Sequence, residues 1–480
     1  MKPVVLLLLM TAYGAAFGGC ALTHPTDPYA PDGKRAVPAV QPSPQKASPD
    51  TPAPTDNGEP ALPHHDVSLT LDEAVETALA KNPDIAAARW ESAAAEARQK
   101  QAYGERLPHI GLAGDYTRTL DEERVIGTRF EGEPGAFSRS IASGQLVLSV
   151  PLFAGGRMVN EQRAAERLWD ASGHRAARTR RELVYDVTRV FYYILARRGI
   201  INSLSYSQDA LEAQLKQTDA LIEAQKAAPV DRMRTEVRLA DIRQSLAGEK
   251  ARLAVEERTL AGLLGLSRTA SGRVSPDGEL AREIPYEAPA FSDALDAAWA
   301  NRSDYLAAKA DLEAKARRVD AARAGRWPLV SMTGAYGGRT AVGSTRGPGD
   351  DRGEVGHIGI EMEMPLFEGG RIDAGIREKQ ADLSAARARL RGLEDRVRIE
   401  IETALSDVKT AEAQLNAVSA SIRQARESLR IEKEKYAAGR GSIGDVLDAQ
   451  TALLASEKTQ YRVMADLRIA VARLELAMGE

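Results

Sequence analysis

Leu146, Leu148, Val150 and Leu152 alternate with Gln145, Val147, Ser149 and Pro151, so a large apolar side chain recurs at every second position. A period of two predicts a β-strand with one apolar face. Ile358, Ile360, Met362 and Met364 alternate in the same way with His357, Gly359, Glu361 and Glu363. Residues two apart on a strand share a face, which puts Glu361 and Glu363 together on the polar side. A weaker alternation precedes each of these strands. Ile110, Leu112, Gly114 and Tyr116 stand against His109, Gly111, Ala113 and Asp115, and Val330, Met332, Gly334 and Tyr336 against Ser331, Thr333 and Ala335. Between the members of each pair the sequence predicts a loop of roughly thirty residues, rich in Gly, Arg, Asp and Glu.

After each strand pair the period changes from two to a heptad. Val397, Ala404, Ala411, Val418 and Ala425 occupy one heptad position, and Ile401, Val408, Leu415, Ile422, Leu429 and Tyr436 the other. The earlier stretch has Val187, Ile194, Ile201, Leu215 and Ile222 at the second position, interrupted by Gln208. Each pattern continues unbroken for roughly 65–70 residues, a helix of about 100 Å at 1.5 Å per residue, with coiled-coil packing. Ala228-Pro229 and Ala438-Gly439-Arg440-Gly441 are the turns, after which a second long helix returns to Gly265 and Gly479. Ahead of each strand pair lie two shorter helices, broken at Asn82-Pro83-Asp84 in one case and Asn301-Arg302-Ser303 in the other. A proline inside a helix lacks the amide donor, which explains the first break.

The chain is therefore written twice. Leu107-Pro108 returns as Trp327-Pro328, and Pro151-Leu152-Phe153-Ala154-Gly155-Gly156-Arg157 returns as Pro365-Leu366-Phe367-Glu368-Gly369-Gly370-Arg371. We read residues 67–265 as the first repeat, 291–480 as the second, and 266–290, with Pro276-Asp277-Gly278 and Pro285, as a connecting loop. The fold class is α+β, mainly α, each repeat being a strand pair with long coiled-coil helices. Four strong strands are too few to enclose these helices in a sandwich, and too few to close a barrel, so closure requires several chains. Apolar-out, polar-in alternation is also what a transmembrane barrel strand needs.

Aromatic residues make up 5% of the 480, charged residues 28%, and the formal charge is −4, which suits helices packed through small side chains and gives no general affinity for nucleic acid. Residues 1–19 read as an export signal: Lys2, an apolar run from Val4 to Met10, then small residues up to Cys20. Cys20 is the only cysteine, so no disulfide framework exists. With Gly18-Gly19 before it, it resembles the acylated cysteine of a lipoprotein signal, although Phe17 departs from the usual Leu; ordinary cleavage with an idle thiol is the alternative. The Ala21-Leu22 that follows favours sorting to the outer membrane. Residues 20–66, rich in Pro, Ala, Asp, Ser and Thr, read as a tether. His64-His65 there lacks the further ligands a metal needs, and His109 and His357 read as polar-face residues. No P-loop, His-Glu-x-x-His or Gly-x-Ser-x-Gly motif is present, so no catalytic site and no cofactor or metal site are expected.

Together the doubled Leu/Trp-Pro strands, the doubled Pro-Leu-Phe-x-Gly-Gly-Arg turns, and the run from Tyr436 to Asp448 before Ala449-Gln450 resemble the TolC-like outer membrane efflux proteins. The resemblance covers roughly residues 67–480. It implies a homotrimer whose strands form a twelve-stranded barrel in outer-membrane lipid, continued by a periplasmic α-helical barrel. That tunnel serves tripartite efflux or type I secretion, docked through a periplasmic adaptor to an inner-membrane transporter, without enzymatic activity. The family's gate at the periplasmic tip maps onto Tyr436, Asp445 and Asp448. Its arginine, five residues after the tyrosine, falls on Gly441; Arg440 stands one place early. Asp445 also fits a helix N-terminal charge that needs no channel. Asp231 holds the matching place in the first repeat, where Arg234 replaces the second acid. Glu361 and Glu363 would face the barrel lumen, and Arg157 and Arg371 would sit where barrel meets helix. The competing architectures are a periplasmic adaptor, which would need one hairpin between β-rich lobes, and a structural coiled-coil protein, which has no use for the Ile358–Met364 alternation.

Overall fold

A computed structural model of the chain describes residues 67–126, 136–225, 227–266, 274–280, 286–342 and 352–480. The expected signal, Cys20, the tether and His64-His65 lie outside the described residues. The first half contains β1 (Val67–Leu69), α1 (Leu71–Lys81), α2 (Pro83–Gly104), β2 (His109–Ile126), β3 (Ala136–Phe153), α3 (Arg157–Glu223) and α4 (Pro229–Leu263). After β4 (Val274–Pro276) the second half repeats the order with α5 (Phe291–Asn301), α6 (Ser303–Arg323), β5 (Leu329–Ala341), β6 (Arg352–Glu363), α7 (Arg371–Ala437) and α8 (Ile443–Met478).

Local chemistry sets the elbows. Thr70 and Glu73 form a capping box at the start of α1, the Thr70 amide donating to the Glu73 carboxylate at 2.9 Å. Pro83 sits at the first position of α2, where no amide is required, and the Asn82 side chain accepts from the Asp84 amide at 2.7 Å. The Asn82 amide nitrogen also donates to the Leu263 carbonyl at 2.9 Å, tying this elbow to the end of α4. In the second half the elbow residue is Arg302, 1% exposed. Its Nε donates to Asp304 at 2.8 Å, and its guanidinium also reaches Glu400 on α7.

The four long strands form one antiparallel sheet in the order β2-β3-β5-β6. Its register joins the apolar faces that the alternation predicts. Ile110 pairs with Leu148, Leu148 with Gly334, and Gly334 with Ile358; one step along, Val150 pairs with Met332 and Met332 with Ile360. The opposite face carries His109 against Ser149, Ser149 against Thr333, and Ser331 against Glu361. The expected long loop is corrected in both halves. In the first, pairing continues through Arg118↔Ser140 and, after a register shift, to Ile126↔Ala136; in the second, β5 reaches Ala341 and β6 begins at Arg352. Backbone hydrogen bonds extend a strand without regard to apolar alternation, which had stopped near Tyr116. The expected 266–290 loop is also corrected, because Val274–Pro276 pairs in parallel with Val67–Leu69.

Helices α3 and α7 are each 67 residues long and follow left-handed Gly156 and Gly370. The heptad residues Val397, Ile401, Ala404, Val408 and Ala411 of α7 are buried against α8 residues Leu467, Ala470 and Leu474, with Ala294 and Ala298 of α5 alongside. In the first half Val187, Val190, Phe191 and Ile194 of α3 pack with Ala74 and Ala78 of α1 and Leu260 and Leu264 at the end of α4. A third cluster lies toward the far ends of the hairpins, where α8 packs on α3 and α4. Among the described residues no helix is long and apolar enough to cross a membrane.

Candidate functional site

The sequence-predicted residues fall into two places separated by the length of α7, about 100 Å. One is the sheet. Ile358 and Ile360 are 75% and 72% exposed, and Ile110, Leu112, Tyr116, Leu146, Tyr336 and Met362 are exposed beside them. A contiguous apolar face of this kind marks lipid or a partner, since water leaves it unsatisfied. Glu361 and Glu363 lie on the other face, across from Ser331 and Leu329. On that polar face the Ser143 hydroxyl donates to Asp115. Strands β2 and β6 are the sheet edges, with no partner strand among the described residues.

The other place is the tip of the second hairpin, which brings Tyr436, Arg440, Asp445 and Asp448 together around one turn. Helix α7 ends because Gly439 adopts a left-handed φ of 69°. The Gly439 amide donates to the Tyr436 carbonyl at 3.0 Å and the Arg440 amide to the Lys435 carbonyl at 2.9 Å, the two bonds of a Schellman turn. The Arg440 side chain projects exposed from it, forming no ion pair among the described residues. Helix α8 then starts on a second capping box. Ser442 Oγ accepts from the Asp445 amide at 3.2 Å, and the Asp445 carboxylate accepts from the Ser442 amide at 3.1 Å and hydroxyl at 2.8 Å. The Ser442 hydroxyl and then its amide hold the Asp445 carboxyl below the ordinary range. Of the two roles the sequence left open for Asp445, the cap is the one its own chain fills. The carboxylate is nevertheless fully exposed to solvent.

Two residues of this turn meet the first hairpin. Tyr436 is half-buried among α3 and α4, and its hydroxyl is enclosed without a partner of hydrogen-bond geometry among the described residues. Burial and the nearby Asp231 charge push the phenol up, while the adjacent Thr218 hydroxyl pulls it partly back. That hydroxyl is already donating to the Gln214 carbonyl at 2.9 Å. Asp448 lies 3.8 Å from Arg238 Nη2 on α4, its side chain 83% exposed. Arg238 escaped the sequence reading. The substitution of Arg234 for an acid was legible, and Arg238 sits one turn further along the same helix face. Arg234 itself approaches Gly444.

The family model described as outer membrane efflux protein matches residues 74–266 and 294–480, and the chain belongs to that family. The outer membrane efflux protein BepC of Brucella suis is 24% identical over 346 residues, 72% of this chain and 74% of that protein. The outer membrane protein OprJ of Pseudomonas aeruginosa is 24% identical over 417 residues, 86% of this chain and 84% of that one. The crystal structure of the Campylobacter jejuni CmeC outer membrane channel superposes with a TM-score of 0.74 at 17% identity, covering 91% of this chain and 94% of that chain. The fold is thus that of the outer-membrane channels.

Proposed function

We propose that this chain is one protomer of a homotrimeric outer-membrane channel of a tripartite efflux or type I secretion system. It passively conducts cargo from an inner-membrane transporter, through a periplasmic adaptor, to the exterior. The observation that carries this reading is the sheet, one face of which is a contiguous apolar surface and whose two outer edges have no partner strand among the described residues. Unpaired edges are intolerable in lipid, where no water can satisfy the backbone. Edge-to-edge pairing of three such sheets, four strands each, closes a twelve-stranded barrel of the sort lipid accepts.

In that assembly the Ile110–Ile358 rows face lipid and the Glu361 and Glu363 face lines the lumen. The long helices carry the tunnel on into the periplasm, and the turn holding Tyr436, Arg440, Asp445 and Asp448 lies at its far end as the gate. Cys20, acylated after cleavage of residues 1–19, anchors residues 20–66 to the membrane. The chemistry is steric and electrostatic; no step needs a catalytic group. Sedimentation of the detergent-extracted protein tests the reading: a trimer is expected, and a stable monomer refutes it.

A further inference from the structure

Between α3 of the first repeat and α8 of the second lies a cleft of about 540 Å³ that the proposed conduction does not use. That volume falls within the roughly 300–1,000 Å³ of small-molecule sites. Arg180 and Arg181 line it from α3, and Arg468 lines it from α8. None of the three forms an ion pair among the described residues. Arg181 uses one N–H on the Ser303 hydroxyl at the start of α6. The Arg468 guanidinium stands 5.9 Å from the centroid of the Tyr192 ring, and its Nε is enclosed with no acceptor among the described residues. A charged N–H enclosed without an acceptor is costly, and native proteins rarely leave one.

The cleft holds two acids of its own, Glu475 and Glu480, but they do not serve the arginines. Burial, and then the Glu480 charge, push the Glu475 carboxyl up, whereas a guanidinium in contact would hold it down. Nor does the repeat call for arginine at these places. Counted from the matched glycines Gly156 and Gly370, Glu394 and Asp395 of α7 stand where α3 has Arg180 and Arg181. Counted back from Gly265 and Gly479, Ala254 of α4 stands where α8 has Arg468. The basic character therefore belongs to this one seam.

We propose that this cleft binds a small molecule through an oxyanion, a carboxylate or a phosphate group, taken by Arg468 with Arg180 and Arg181 contributing from the facing helix. The Nε–H of Arg468 and one of its Nη–H groups form the fork that two oxygens of such a group accept together. The Tyr192 ring faces the same guanidinium and favours its charge. The site needs only the seam between α3 and α8, and it stands whether or not the chain assembles as a trimeric channel.

Isothermal titration of inorganic phosphate, and separately of succinate, into the full-length protein in detergent tests the site. Sodium chloride holds the ionic strength constant, so that diffuse charge is screened equally throughout. At least one of the two anions should bind saturably, and the tighter of them identifies the group. Arg468→Gln should weaken that binding about tenfold or more, and Arg180→Gln by a smaller factor. Arg389→Gln, on the exposed side of α7, should leave it within about twofold. Arg468→Lys should recover only part of the loss, since an ammonium has no fork. Should Arg468→Gln fail to fold, the exposed Arg180 carries the comparison, weakened binding in Arg180→Gln supporting the site and unchanged binding refuting it. Saturable binding of neither anion would mean that solvent alone satisfies Arg468, and would overturn the proposal. Equally tight binding in Arg468→Gln would place the anion elsewhere on the protein and overturn it as well.

Discussion

Gly479 lies so close to Arg302 that a Cβ on the glycine would stand 2.7 Å from the arginine's backbone nitrogen. The first repeat reproduces the relationship, with Gly265 placing a Cβ 2.4 Å from the Lys81 carbonyl oxygen. Both glycines have left-handed φ, 86° and 69°. Each return helix thus ends by pressing its terminal glycine against the elbow that opens its own repeat.

Alanine at either position meets both the backbone and a disfavoured φ. Gly479→Ala and Gly265→Ala should each lower stability by roughly 1–3 kcal/mol. Thermal unfolding of the assembled protein checks this, and Gly392→Ala, which lies within α7 with nothing within 4 Å of the added carbon, serves as the control and should be neutral or stabilising.

Arg302 should be the costliest single side chain in the second elbow. Its removal leaves the acids Asp304 and Glu400 without their shared cation, and because both acids keep access to water the cost should fall below the roughly 3–5 kcal/mol of a fully buried pair. Arg302→Lys should recover only part of that, since a single ammonium cannot reproduce the fork to Asp304. Burial pushes the Asp304 carboxyl up, but the Arg302 hydrogen bond and charge outweigh it and hold it below the ordinary range. A carboxyl whose folded pKa is depressed contributes stability above its unfolded pKa and loses it as pH falls through the folded value. Wild type should therefore lose stability on acidification below the ordinary aspartate range, and Asp304→Asn should flatten that loss. An unchanged acid slope would dismiss the pair.

The two faces of β6 should answer oppositely to charge. Ile360→Arg on the apolar face should cost about 2–4 kcal/mol if it sits at the bilayer midplane, and reduce the protein recovered in outer membranes. Glu361→Gln, one residue away on the polar face, should leave assembly unchanged and act only on ion selectivity. Equal losses for both would contradict a lipid-facing sheet.

At the proposed gate, charge must be removed without destroying the cap. Asp445→Ala would confound the two, because losing a capping residue costs about 0.5–2 kcal/mol. Asp445→Asn combined with Asp448→Asn keeps an acceptor beside Ser442 while deleting both negative charges. In planar bilayers the double variant should show weaker block by divalent cations, and retained block would remove these acids from the constriction.

Much of the architecture was legible because it is periodic. Ile358, Ile360 and Met362 mark their face by alternation, and Val397, Ile401, Ala404 and Val408 mark their seam by heptads, since each period is a property of the local backbone. The extra strand length beyond Tyr116 was not legible. There the partner strand's hydrogen bonds decide, and Arg118 or Glu123 advertises nothing of them. The cap at Ser442-Ile443-Gly444-Asp445 is a local motif and could be read; the approach of Arg238 to Asp448 joins separate hairpins and could not.

The duplication, the type of each long element, the apolar strand faces and the turns that reverse each hairpin can be read from the chain before it folds. These follow from residue spacing and from what Gly, Pro and capping side chains do to the nearest backbone. The sheet order β2-β3-β5-β6, and the burial of the α8 tip on α3 and α4 rather than the reverse, emerge only once the chain has packed. Partner choice depends on which surfaces exclude water together once the chain has folded back. Two similar repeats present two similar sets of surfaces, and packing selects between them.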